Sequence, residues 1–334
     1  MAGCPVRDRC HPGERGAALL TVLLLVAVMA IIAAGALERV ALATRLTANA
    51  GAQAQARAYA DAAQTIARQR IADLIAASPG RTTLAGGWLG AAQAVPVPGG
   101  TATARVTDSG NCFNLNSVVT GDNAADLKTR PVGIVQFVAL MQALGIDERR
   151  AQGVAASLAD WIDSDAVPQP GGGEDESYLR LAQPYRTANR FMVDASELRA
   201  VQGVTPALYG VLRPWVCALP VSDLSPINVN TLLPQQAPLF AMLLPGKVTV
   251  EQARQWLAQR PADGYGSLNT FWALPGRSGI VPSGDVNAQA KLTSRWFRVD
   301  VLVELGGVEL NDTALIDAQA IPARIVYRHW GEES

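Results

Sequence analysis

The most one-sided stretch of the chain is Ala17–Leu37, AALLTVLLLVAVMAIIAAGAL, which holds no charge and no proline. At about 1.5 Å of rise per helical residue it covers the roughly 30 Å of a bilayer's hydrocarbon core. Apolar residues then recur near the helical period at Tyr59, Ala63, Ile66, Ala67, Ile71 and Leu74, and no proline interrupts before Pro79. The pattern predicts one helix over Ala17–Ala77, apolar all round in its first half and packed on a domain along one face in its second. Past Pro79 the chain is rich in turn formers (Gly80, Gly86, Gly87, Pro96, Pro98, Gly99, Gly100), after which the alternation of Thr101–Thr107 predicts a strand. Strand patterns return over Arg295–Leu305, Val308–Leu310 and Ala323–Trp330, with Gly306-Gly307 as a hairpin turn. Between them, Ser117 to about Ala290 has helical spacing broken by proline and glycine. Helices interposed between separated strands predict an α+β chain with a long N-terminal helix, an antiparallel sheet and a large, mostly helical insertion.

Composition narrows the function. Of 334 residues, 49% are hydrophobic and 17% charged, which excludes a disordered chain. With 28 basic against 29 acidic residues the formal net charge is −1, without the basic excess that phosphate neutralisation demands. Two stretches, Ser196–Trp215 and Asn228–Arg260, resemble helix-hairpin-helix or SAM-like units, which in other settings grip DNA. Here Pro206 removes a donor from the first turn, and the second, Pro245-Gly246-Lys247-Val248, offers one glycine and one lysine. Nucleic acid is therefore not expected, and protein contact is the favoured use of these units. The chain has two histidines, His11 and His329, and no G-x-S-x-G elbow or P-loop, so no enzyme is predicted.

The N-terminal segment admits more than one fate. Ala34-Gly35-Ala36 fits the small-x-small pattern of a cleaved secretory signal, although the apolar run is longer than such signals use. A plain membrane anchor is the second reading; the polar head, with Arg7, Arg9 and Arg15 against Asp8 and Glu14, has only a small basic excess to orient it. Elsewhere, Asp160, Asp163, Asp165, Glu174, Asp175 and Glu176 crowd around a loop holding Pro168, Pro170 and Gly171–Gly173. Carboxylates brought together there repel unless solvated, spread or bridged by a cation, and oxygen ligands without His or Cys nearby select Ca²⁺. The spacing is not that of an EF-hand. A solvated acidic turn is the competing reading.

A charged head ending in Glu14-Arg15-Gly16, directly followed by the apolar helix, resembles the type IV pilin and type II secretion pseudopilin family. The resemblance implies cleavage by a prepilin peptidase between Gly16 and Ala17, methylation of Ala17, and retention of the helix, first in the inner membrane and then in a filament core. Most members carry glutamate at the fifth mature position; here it is Thr21. A subunit without that carboxylate cannot neutralise the amine of a subunit above it, which the family associates with its K-type minor pseudopilin, enlarged by an inserted helical domain. The runs Asp160-Trp161-Ile162-Asp163-Ser164-Asp165, Gly171-Gly172-Gly173-Glu174-Asp175-Glu176, Pro184-Tyr185-Arg186 with Asn189, and Asp194-Ala195-Ser196-Glu197-Leu198 resemble the K-type signature. So do Asn111-Cys112-Phe113-Asn114-Leu115-Asn116 and Ile227-Asn228-Val229-Asn230-Thr231.

The resemblance implies a leader over 1–16, a transmembrane half-helix over 17–37, a pilin-like domain over 38–116 and 291–334, and an inserted SAM-like helical domain over 117–290. It implies structural calcium held by Asp163, Asp165 and Glu174, with Asp160, Asp175, Glu176 and Asn189 as further candidates; Asp160 can instead pair locally on its helix. It implies I- and J-type minor pseudopilins, the peptidase and the inner-membrane assembly platform as partners, and a single-pass protein whose C-terminal domain lies in the periplasm. Cys4 and Cys10 would leave with the leader, so Cys112 and Cys217 remain as an even pair in an oxidising compartment, bridged or as two buried thiols. The implied role is a place at the tip of the secretion pseudopilus. The competing class is a membrane-anchored periplasmic binding module built on the helix-hairpin-helix units, with DNA as its minor alternative ligand.

Overall fold

A computed structural model describes residues 14–320 and 322–331. Helix α1 (Glu14–Ala77) is continuous over 64 residues and starts three residues before the expected Ala17, just past Pro12-Gly13. From Leu19 to Leu46 its large apolar side chains are exposed, and it is apolar and long enough to cross a membrane by length and composition. The second half buries Ala56, Ala60, Ala63, Ala67 and Ile71, a single stripe at helical spacing. Ile66, expected on that face, is exposed, because the buried stripe runs along the alanines beside it. Small side chains let α1 lie close against Ala102, Ala104, Val299, Val301 and Val303.

Those residues belong to a five-stranded antiparallel sheet. Its strands are β1 (Ala92–Val95), β2 (Gly100–Asp108), β9 (Trp296–Leu305), β10 (Val308–Asp317) and β11 (Arg324–Trp330), lying side by side in that order. Gly306 (φ 58°) and Gly307 (φ 81°) supply the left-handed conformations of the β9–β10 turn. Strand β10 runs well past the expected Leu310. Its middle carries Asn311-Asp312-Thr313, polar residues that hide the alternation, and Asp312 is buried because Arg328 from β11 grips it bidentately at 2.8 Å.

Neighbours β2 and β9 pair from Gly100↔Leu305 to Asp108↔Phe297, so the insertion interrupts what is otherwise a hairpin. It comprises the short strands β3 (Phe113–Asn114), β4 (Val119–Thr120), β5 (Lys128–Thr129), β6 (Val216–Cys217), β7 (Ile227–Asn228) and β8 (Ala290–Lys291). Its helices are α2 (Pro131–Ala143), α3 (Glu148–Ile162), α4 (Asp175–Leu179), α5 (Pro206–Leu212), α6 (Ala237–Ala241), α7 (Val250–Ala258), α8 (Leu268–Arg277) and α9 (Gly284–Gln289). They enclose a second core, from Phe113 to Ala290. The expected boundary at 117 therefore moves forward. Asn114 and Asn116, before that boundary, are already buried in the insertion, because their amides satisfy backbone groups of Val221, Asp223, Met192 and Leu219.

The two bodies meet at Asp108, at the end of β2. Its Oδ2 accepts from Thr231 Oγ1 (2.5 Å) in the insertion and from Ser294 Oγ beside β9, and Oδ1 accepts from the Gly110 amide (2.9 Å). Burial pushes its carboxyl pKa up, against these hydrogen bonds. Asn228 joins the same knot, donating to Ser294 Oγ (2.8 Å) and to the Thr82 carbonyl (3.2 Å), so the segment after α1 is tied in as well.

Candidate metal centre

The acidic residues converge where α3 ends. Asp147 caps the start of this helix, and the amide of Asp163 closes its last turn on Ala159 (2.8 Å). Trp161 in that turn packs edge-on to Tyr178 and Tyr185, which fixes the neighbouring acids, Asp160 and Asp163, on the side facing the following loop. The loop then folds back over α3. The amide of Gln169 donates to Asp160 Oδ1 (2.9 Å), and Gly172 lies so near that a Cβ there would run into Asp160 Oδ2 and the backbone of Ala156. Glu174, at the N-cap position of α4, is carried back to the end of α3.

Asp163, Asp165 and Glu174 each place a carboxylate oxygen within 4.8 Å of the others. Oxygens on one Ca²⁺ lie about 2.4 Å from it and hence no more than about 5 Å apart. Asp160, Asp163 and Glu174 are buried, and each has one oxygen (Oδ2, Oδ1 and Oε1) without a hydrogen-bond partner. Asp165 is exposed and accepts the Val167 amide (2.8 Å). Burial first, and the neighbouring carboxylates second, push Glu174 up to about 7; burial pushes Asp163 up to about 6 against the Thr129 hydrogen bond, and raises Asp160 against the amides of Gln169 and Gly173. Buried carboxylates with spare lone pairs and, among the described residues, no cationic side chain paired with them fit a hard divalent ion. The residues thus fit calcium, with Asp160 beside the three.

Two expected candidates are turned away from the cluster. Asp175 accepts from the Thr187 amide (2.9 Å) and hydroxyl (2.8 Å) and from Arg186 (2.6 Å), because the first turn of α4 directs it toward the Pro184–Thr187 segment. Glu176 faces solvent and pairs with Arg180 one turn on. Asn189 is exposed, holds the one positive φ (45°) of the described non-glycine residues, and uses its amide to close its segment onto the Trp161 carbonyl (3.0 Å). Sequence reading missed Thr129, whose hydroxyl donates to Asp163 Oδ2 (3.0 Å); nothing in the sequence near it marks the contact.

The remaining expected sites are spread through the fold. Cys112 and Cys217 form a disulfide with Cα atoms 5.8 Å apart, stapling β3 to β6. Cys4, Cys10 and His11 lie outside the described residues. Gly16 and Ala17 stand in the first turn of α1, and Thr21 spends its hydroxyl on the Ala18 carbonyl (2.9 Å). Of the hairpin-like turns, Thr205 caps α5 through the Leu208 amide, and Gly246 (φ 70°) lies between α6 and α7.

Comparison with known proteins places this geometry. Two family models described as "Type II secretion system (T2SS), protein K" match residues 111–221 and 227–293. Type II secretion system protein K of Pectobacterium carotovorum subsp. carotovorum is 36% identical over 95% of this chain and 97% of its own length. The Klebsiella pneumoniae protein is 35% identical over 95% and 97%, and the Pseudomonas aeruginosa protein 35% over 88% and 86%. The GspK–GspI–GspJ complex from the enterotoxigenic Escherichia coli Type 2 Secretion System contains a chain that superposes with a TM-score of 0.72. That chain is 29% identical, and the match covers 84% of this chain and 96% of the other.

Proposed function

The chain belongs to the type II secretion system protein K family, and on that premise we propose that it stands at the tip of the pseudopilus, supporting pseudopilus assembly and the export of folded proteins across the outer membrane. The observation that carries this reading is the place of the insertion. It leaves the sheet at Asp108 and returns at Trp296, the end that is hydrogen-bonded to Thr82 just past α1. The exposed apolar half of α1 projects from the other end, where Ala52 lies against Gly306. A subunit added beyond this one would meet the insertion in place of a bare pilin-like head. Thr21 acts in the same sense, because a hydroxyl satisfied within its own helix offers no charge to the amine of a subunit above.

The related chain was solved with GspI and GspJ, and the same I- and J-type partners are proposed here. The remaining assignments follow: peptidase cleavage between Gly16 and Ala17 with methylation of Ala17, handling by the inner-membrane platform, and a periplasmic C-terminal domain, where a Cys112–Cys217 bridge would persist. Asp163, Asp165 and Glu174, flanked by Asp160, would hold calcium, which supplies charge neutralisation and pins the loop to α3. Immunogold labelling of sheared pseudopili with an epitope in the exposed Val281 loop tests the tip position. Label at one end of each filament is expected, and label repeated along the shaft overturns it. Mass analysis of the mature N-terminus should give methylated Ala17; a start at Leu37 would mean ordinary signal cleavage.

A further inference from the structure

We propose that Thr129 is a positioning residue for the calcium site, setting which oxygen of Asp163 faces the ion. The proposal rests on the calcium reading above. Thr129 lies on β5, 34 residues before Asp163 and outside the acidic run. Its backbone is held by pairing with Val119 across β4–β5 and by the following amide, Arg130 to the Val118 carbonyl (2.7 Å). The hydroxyl accepts from Gln169 Nε2 (3.3 Å) and donates to Asp163 Oδ2 (3.0 Å). With an amide N–H filling its acceptor side, the hydroxyl proton is directed to the carboxylate. One oxygen of Asp163 is therefore engaged, and the other, buried and partnerless, is left for the ion.

Gln169 extends the same device to the second acid of the turn, since its backbone amide donates to Asp160 Oδ1. Asp163 thus presents one engaged and one free oxygen, and the Thr129–Gln169 pair that fixes it also reaches Asp160, on which the Gly173 amide bears as well. The strand is tied to the loop once more by Ser164, whose amide (3.0 Å) and hydroxyl (3.1 Å) both donate to the Leu127 carbonyl. Hydrogen-bond partners behind metal ligands commonly shift affinity by about 10–100-fold.

Calorimetric titration of the full chain in detergent with CaCl₂ tests this. T129V keeps the shape and loses the hydroxyl; its calcium Kd should rise about 10-fold or more. T129S, which keeps the hydroxyl, should restore wild-type affinity. Q169L, which frees the hydroxyl to rotate, should weaken binding in the same direction. Wild-type affinity in T129V, or T129S as weak as T129V, overturns the positioning role while leaving the calcium site standing. Absence of calcium binding by the wild-type chain removes the site itself. Should T129V fail to fold, Q169L carries the test, and an unchanged Kd there overturns the proposal.

Discussion

At the residue scale the candidate site is defined by what its carboxylates lack. Asp163 at about 6 and Glu174 at about 7 both bind protons more tightly in the folded chain than in the unfolded one. In calcium-free protein their contribution to stability is therefore fully present below about pH 4 and lost as pH rises toward 7. Calcium takes the ionised form, so its contribution has the opposite sign and grows over the same window. Thermal unfolding at pH 5, 6, 7 and 8, in calcium and in calcium-depleted buffer, should show a gap in Tm that widens with pH. A gap constant across the range would mean that the ion binds elsewhere. Gly172 gives a second residue-level expectation: a methyl group there displaces Asp160 or lifts the loop, so G172A should cost about 1–3 kcal/mol by urea unfolding and weaken calcium binding. The acidic run, the glycines and the oxygen-only donor set were all legible in the sequence. That Asp163, Asp165 and Glu174 are the acids brought together was implied by the family resemblance and not by the run itself, because the first turn of α4 decides whether Glu174 or Asp175 points inward; the contact of Thr129, which crosses to another element, was not legible.

Among the elements, α1 is the one read most directly, since an uncharged run and an unbroken helical period need no tertiary information. Its register on the sheet depends on something the sequence conceals. Gln64, buried in the alanine stripe, donates to Asp312 Oδ2 (3.1 Å) and the Val299 carbonyl (3.4 Å). Arg328 holds both oxygens of Asp312 and reaches Asp61 of α1 (2.6 Å). Helix, β10 and β11 are thus locked through one buried carboxylate, which is why the polar middle of β10 did not read as strand. Removing only the cation leaves that carboxylate buried with the Gln64 amide and no counter-charge, so R328M should destabilise the region after Leu37 by about 3 kcal/mol. The double variant D312L/R328M, apolar on both sides, should regain most of the loss in urea unfolding. If R328M alone costs nothing, the pair does not fix the register.

For the molecule as a whole, the α+β layout followed from strands separated by a helical stretch, but the expected boundary at 117, set where the helical spacing starts, falls several residues past the seam, because Asn114 and Asn116 are buried through hydrogen bonds to residues far along the chain. The structure puts the seam where β2 and β9 pair, Asp108 opposite Phe297, so the insertion enters and leaves through adjacent strands. The core from Phe113 to Ala290 and the core under α1 share no buried residue. What joins the bodies includes a polar knot: Asp108 at the end of β2 accepts from Thr231 (2.5 Å) and from the Asn111 side-chain amide (3.4 Å), and Asn228 donates to Ser294 beside β9 (2.8 Å). Polar contacts of this kind stabilise an orientation without being required for either core to form. Residues 111–293, long enough to bury a core of their own, should therefore fold alone as a cooperative unit with near-UV circular dichroism, and their Tm should rise in calcium. The complementary chain, with an Asn-Gly turn joining Ser109 directly to Trp296, keeps Asp108 opposite Phe297 and should keep the helix-on-sheet body, since that turn closes the hairpin the insertion interrupts. A fragment 111–293 that binds a hydrophobic dye and melts without a transition would show that the inserted core needs the sheet, and the view of the insertion as a separate mass carried beyond the end of α1 would fall with it.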